Sequence, residues 1–230
     1  MKNYLIIGAS SGIGEAVAKQ LKEEGNNVYS ASRNEPTVET DGHITFDATD
    51  MESADFSTLP DTIDGIVYAA GTINLKPFNR LKPADYLKDL QINVLGAVHV
   101  IQENLKRLKS ADSASIVLFS TVAVQTGMSF HSSVSVAKGA IEGLTRSLAA
   151  ELAASNIRVN AIAPSLTDTP LAGSLLSNEE KKESAGKRHP LGRVGTPADI
   201  AAMVMLLLSK NGSWITGQVI GIDGGMGSLK

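Results

Sequence analysis

The stretch that decides the fold is Tyr4-Leu5-Ile6-Ile7-Gly8-Ala9-Ser10-Ser11-Gly12-Ile13-Gly14. A short apolar strand runs into a glycine-rich turn, and a helical pattern follows at once. Glycines let the backbone turn sharply and approach a pyrophosphate, whose charge rests on the exposed amides of the helix N-terminus. A glycine cluster alone says little. Placed between a first strand and a first helix, it marks a dinucleotide site. The candidate contacts are Gly8, Ser10, Ser11, Gly12, Ile13 and Gly14, at a Gly-x-x-x-Gly-x-Gly spacing.

Outward from this turn, short β-branched runs alternate with longer helical patterns. The predicted strands are Tyr4–Ile7, Asn27–Ala31, His43–Phe46, Gly65–Ala69, Ser115–Phe119, Arg158–Ile162 and Gln218–Ile222. The predicted helices are Ile13–Glu24, Pro83–Leu108, Ser132–Ala154 and Pro197–Ser209. Several strands are apolar almost throughout, as strands covered on both faces should be. The alternation predicts an α/β fold, a single Rossmann-type doubly wound parallel sheet of about seven strands with helices on both faces. No linker or repeat divides residues 1–230, so one domain is expected. Asn34 to Gly42 is too short and polar for a full crossover helix. Ser165 to Thr196, with Pro170, Gly173, Pro190, Gly192 and Gly195, reads as a long excursion with one short helix, and long loops in compact domains favour a substrate lid. Leu166, Leu171, Leu175 and Leu176 form either an apolar pocket wall or the lid's own core.

Composition narrows the function. With 21 basic against 24 acidic residues, the net charge of −3 gives no general attraction to nucleic acid. Cysteine is absent, which excludes disulfides, thiolate nucleophiles and cysteine-based metal sites. His43, His99, His131 and His189 are scattered without ligand spacing, so no metal is expected. No apolar run reaches the roughly 18 residues of a membrane span, and the N-terminus turns glycine-rich too early for a signal peptide. A cytoplasmic protein is expected.

The second strand ends in Ser30-Ala31-Ser32-Arg33, where the adenine ribose lies in such folds. An acid there accepts from a free 2′-hydroxyl, whereas an arginine accommodates a 2′-phosphate. Arg33 without an acid favours NADP over NAD. Asp47, after the third strand, either accepts from the adenine amine or serves as a turn residue.

Together these motifs resemble the short-chain dehydrogenase/reductase family nearly end to end. Gly8 to Gly14 matches its coenzyme loop, and Tyr68-Ala69-Ala70-Gly71 is similar to its Asn-Asn-Ala-Gly motif. Ala163-Pro164-Ser165 resembles its Pro-Gly turn, and Leu191 to Pro197 and Thr216 to Gly225 resemble its C-terminal signatures. The resemblance implies coenzyme contacts at Ala70, Gly71, Asn93, Lys138, Pro164 and Thr169. It also implies that Asn93 supports a proton-relay water and that Thr169 meets the nicotinamide carboxamide. Dimers or tetramers built on the long helix are implied too. Gly139, Ala140, Gly143, Ala149 and Ala150 would permit close approach there, or would pack only on the protein's own sheet.

The family's catalytic element is Tyr-x-x-x-Lys, with a serine thirteen residues before the tyrosine. Lys138 fits the lysine, Val134 stands at the tyrosine position, and Thr121 stands at the serine position. Residues i and i+4 share a helix face, so the lysine ammonium would lower the phenol's pKa, and the resemblance implies that this missing phenol is the proton donor for carbonyl reduction. A positioned acid contributes roughly 10²- to 10⁴-fold, and ordinary reduction should fall by about that much. His131, three residues before Val134, is either a substitute acid or a polar helix-start residue. Two functions stay open: an oxidoreductase on a small carbonyl or alcohol with altered proton transfer, or a non-catalytic NADP(H)-binding sensor or subunit of a mixed oligomer.

Overall fold

The structure is a computed structural model that describes residues 1–229. Seven parallel strands form one sheet: β1 (Asn3–Ile7), β2 (Asn27–Ser32), β3 (Gly42–Thr45), β4 (Gly65–Tyr68), β5 (Ala114–Phe119), β6 (Ile157–Pro164) and β7 (Val219–Ile222). Their order is β3-β2-β1-β4-β5-β6-β7. The seven predicted strands all form, each within two residues of its expected ends.

Strand residues alternate between two apolar layers because successive side chains point to opposite faces. Leu5, Ile7, Ile66, Ile116 and Leu118 enter one layer. It is closed by α3 (Gly96–Lys109) and α5 (Ser132–Leu152) through residues such as Val100, Leu108, Ile141 and Leu152. Tyr4, Ile6, Val67 and Val117 enter the other. There α1 (Gly12–Glu23) and α7 (Pro197–Leu208) pack through Val17, Leu21, Val204 and Leu207. Each interior strand is thus covered twice, which explains its nearly continuous apolar sequence.

One predicted element is corrected. Pro83–Leu108 is not one helix: α2 (Pro83–Leu90) and α3 are joined by a π-helical segment, Gln91–Leu95. The wider turn frees backbone carbonyls, and the Tyr68 hydroxyl takes that of Ile92 at 2.6 Å. Gly96 makes room for it, since a Cβ there would overlap the phenol. Hydropathy periodicity continues through such a bulge, so the sequence pattern conceals it. A short helix, α4 (Ala123–Thr126), was not expected.

Asn34–Gly42 carries no helix. Residues 165–196 contain a 3₁₀ turn (Pro170–Ala172) and one helix, α6 (Glu179–Gly186). Ala172, Leu176 and Ala185 give this excursion a small core, against which Leu166, Leu175 and Val194 pack. Among the described residues no helix is long and apolar enough to cross a membrane, and no histidine–carboxylate group could hold a metal ion.

Candidate active site

The strand order reverses at β1, between β2 and β4, and in open α/β sheets ligands bind beyond the carboxyl ends of the strands at such a point. Gly8 and Gly12 both have positive φ, +85° and +61°, which glycine adopts without strain. A Cβ on Gly14 would run into the Gly8 carbonyl. The turn therefore closes tightly on its own backbone, leaving the first amides of α1 toward solvent. Ser11 caps α1 without a side-chain hydrogen bond, and Ser10 is half-buried beside it.

Arg33 is exposed just beyond β2 and forms no ion pair among the described residues. Asp47 accepts from the Thr49 amide at 2.8 Å and hydroxyl at 2.7 Å. These bonds, with a smaller contribution from Arg33, hold its carboxyl below the usual range. One of its oxygens is thus committed to a turn.

A cavity of about 950 Å³ opens on the other side of β1. Ile13, Ala70, Gly71, Thr121, His131, Val134, Lys138, Pro164 and Thr169 all line it. Leu166, Leu171 and Leu175 of the 165–196 excursion contribute its apolar side, while Leu176 is buried in the excursion's own core. Leu166 and Leu175 do both, since they line the cavity and also pack on the excursion's core. Thr169 packs on Gly12, where an added Cβ would lie 3.3 Å from its own Cβ. The glycine loop and the start of the 165–196 excursion therefore touch.

Lys138 and Asn93 converge over Gly71, where a Cβ would stand 3.5 Å from the Lys138 Nζ and 3.1 Å from the Asn93 Oδ1. Burial pulls the Lys138 ammonium down to about 8, and the Asp89 charge opposes this. Asn93 sits within the π segment, 1% exposed, and donates to the Thr72 hydroxyl and the Asp89 carbonyl, both at 2.8 Å. The Thr121 hydroxyl lies 3.4 Å from the Pro164 carbonyl and accepts from the Ala123 amide at 3.3 Å. Both bonds are long, so the group can turn to another partner. Val134 is buried at the cavity wall. His131 stands at the N-terminus of α5 with Nδ1 2.8 Å from the Ser129 carbonyl, which directs its proton there and leaves Nε2 available.

The sequence reading missed four further polar groups. Asp89 lies four residues before Asn93, a helical spacing that could have revealed it. Thr72 hydrogen-bonds both. Ser165 and His189 pair at 2.9 Å, and the buried His189 ring also meets the Ala185 carbonyl at 2.9 Å, tying the far part of the excursion to the end of β6. No sequence spacing foretells that contact across 24 residues.

A family model described as "Enoyl-(Acyl carrier protein) reductase" matches residues 8–227. The chain is a member of the short-chain dehydrogenase/reductase family. This short-chain dehydrogenase/reductase is 35% identical over 241 residues to a tropinone reductase homologue of Arabidopsis thaliana, covering 97% of this chain and 92% of that protein. It is 31% identical to the 3-oxoacyl-(acyl-carrier-protein) reductase of Thermotoga maritima, covering 98% and 97%. Among solved structures, the ligand-free aldohexose dehydrogenase of Thermoplasma acidophilum superposes with a TM-score of 0.87 at 27% identity, covering 98% of this chain and 93% of that one. A putative gluconate 5-dehydrogenase of Beutenbergia cavernae, with NADP bound, gives 0.89 at 25% identity, covering 98% and 96%.

Proposed function

We propose that this short-chain dehydrogenase/reductase is an NADP(H)-dependent oxidoreductase on a small carbonyl or alcohol whose proton transfer does not pass through a tyrosine. The observation that carries the reading is the cavity wall itself. Gly71, Thr121 and Lys138 line it, Asn93 meets Lys138 over Gly71, and none of the four tyrosines lines it. Tyr68 is spent on the π segment, and Tyr86 bonds Ser132 at 2.9 Å outside the cavity.

The residues fit a dinucleotide. The Gly8–Gly14 turn is a cradle that a side chain would fill, and it opens on a free helix N-terminus. Arg33, unpaired at the tip of β2, suits a 2′-phosphate, and NADP in the Beutenbergia cavernae neighbour agrees with that choice. Pro164 and Thr169 border the nicotinamide end, and Lys138 holds the ribose. Bound there, the coenzyme supplies hydride. Thr121 donates to the substrate oxygen and fixes the carbonyl face. Without a phenol at position 134, two titratable groups on the wall near that oxygen can deliver its proton: the Lys138 ammonium and the His131 imidazolium.

The test follows NADPH consumption across a panel of small carbonyls, with the unmodified protein, Val134→Tyr and His131→Ala in parallel. Turnover by the unmodified protein is expected, and Val134→Tyr should raise it about 10²- to 10⁴-fold. Turnover lost in His131→Ala names His131 as donor, and turnover retained names Lys138. If only the tyrosine variant turns over, the second reading holds, a coenzyme-binding sensor or structural subunit, which Val134 itself favours.

Self-association belongs to the same proposal. Leu87, Leu95 and Val136 are 66%, 48% and 50% exposed. They lie on α2, the π segment and α5, which pack together. Gly143 on α5 is exposed, with open space where a side chain would stand. An apolar, small-residue face of this kind supports a homodimer or homotetramer.

A further inference from the structure

Asp89 closes the last turn of α2 and is 2% exposed. One carboxylate oxygen accepts from the Thr72 hydroxyl at 2.7 Å. The other is buried with no hydrogen-bond partner among the described residues. Asn93, one turn further on, fastens this end of α2 to the loop after β4 through the Asp89 carbonyl and the Thr72 hydroxyl. Thr72 adjoins Gly71, over which the Lys138 ammonium sits. Asp89, Thr72, Asn93 and Lys138 thus form one contiguous polar cluster beside the apolar core.

A buried carboxylate with an unsatisfied oxygen costs several kcal/mol unless a positive charge compensates it, and a buried ammonium has the same need. We propose that Asp89 is the counter-ion of Lys138, a positioning residue that keeps the ammonium charged inside the site. Burial drives that ammonium toward its neutral form, and Asp89 is the carboxylate whose charge opposes the drive. The other charged groups around α5 are committed or of the wrong sign. Glu142, one turn beyond Lys138, accepts from Ser120 at 2.8 Å and pairs with Arg146. On α2, Asp85 pairs with Lys76, and Lys88 is a cation. The π segment, α4 and β5 carry no charged residue, and β6 carries only Arg158, at its opposite end. His131 at the helix start and Lys181 and Arg188 from the lid are basic.

The charge coupling of Asp89 to Lys138 is independent of the coenzyme. Its consequence for ribose holding rests on the reading under Proposed function. The test titrates the ligand-free protein with lysines labelled with ¹³C at Cε, and Lys138→Met identifies the resonance. In Asp89→Asn, which keeps the shape and removes the charge, the Lys138 midpoint should fall by about one pH unit or more. An unchanged midpoint overturns the proposal. In the unmodified protein the ¹³C-labelled carboxyl carbon of Asp89 should respond over the pH range in which Lys138 titrates, whether or not the variant folds. A silent carboxyl carbon also overturns it.

NADPH affinity measured against pH then follows the consequence. Removing Asp89 lowers the lysine midpoint, so the alkaline loss of affinity should begin at lower pH in Asp89→Asn. If the midpoint moves but not even the unmodified protein binds NADPH, the coenzyme reading fails and the counter-ion role of Asp89 stands.

Discussion

Arg33 and Lys138 show how a single side chain acts through what surrounds it. Arg33 is exposed at the tip of β2 and forms no ion pair among the described residues, so its charge is open to a ligand. A charge-assisted hydrogen bond to a 2′-phosphate is worth about 1.5–3 kcal/mol, which is about tenfold or more in affinity. Arg33→Asp should therefore weaken NADPH by about that factor and leave NADH unchanged or improved, as measured by fluorescence titration. An equal loss for both coenzymes would remove Arg33 from the choice. Lys138 is the opposite case, a cation kept from water. Its midpoint near 8 means that the ammonium is present at neutral pH and lost as pH rises through that value.

At the scale of elements, the π segment places Asn93. The extra residue in that turn rotates the following helix and sets the amide beside Thr72 and Asp89 instead of leaving it on a regular helical face. The far end of the sheet shows a comparable use of one side chain. Arg158, at the start of β6, donates to the carbonyls of Leu207 at 2.7 Å and Gly212 at 2.9 Å, closing the C-terminus of α7. Four carbonyls at a helix end lack intrahelical partners, and a cation is favourable there. Arg158→Ala should cost about 2–3 kcal/mol in urea unfolding without changing coenzyme affinity, because the site lies at the opposite ends of the strands.

For the whole molecule, the sheet leaves β7 at one edge and the α2–α5 face without a covering layer. Gly143→Gln tests that face. The substitution adds a neutral side chain into open space within the protomer and removes a helix-weakening glycine, so the protomer should be no less stable. Sedimentation should show a shift toward monomer. A mass unchanged from that of the unmodified protein would remove this face from the proposed interface.

The sequence by itself determined the sheet, because strands buried on two faces must be apolar throughout and helices covering them must be amphipathic. It also determined the coenzyme turn, because Gly8 and Gly14 are required by the backbone whatever packs around them. Lys138 and Val134 were legible as a pair through the resemblance to the family's Tyr-x-x-x-Lys motif, whose spacing sets both on one helix face. Tertiary structure decided the rest of the site. Its spacing from Asn93 sets Asp89 on the same helix face, but its burial carries no local signal, since an aspartate in a polar helix reads as solvated, and only the packing of α2 on α5 removes it from water. The Ser165–His189 contact and the convergence of Lys138 with Asn93 over Gly71 join residues far apart in the chain. Such contacts depend on where helices land on the sheet, and hydropathy periodicity fixes which face of a helix is buried but not which side chains then meet.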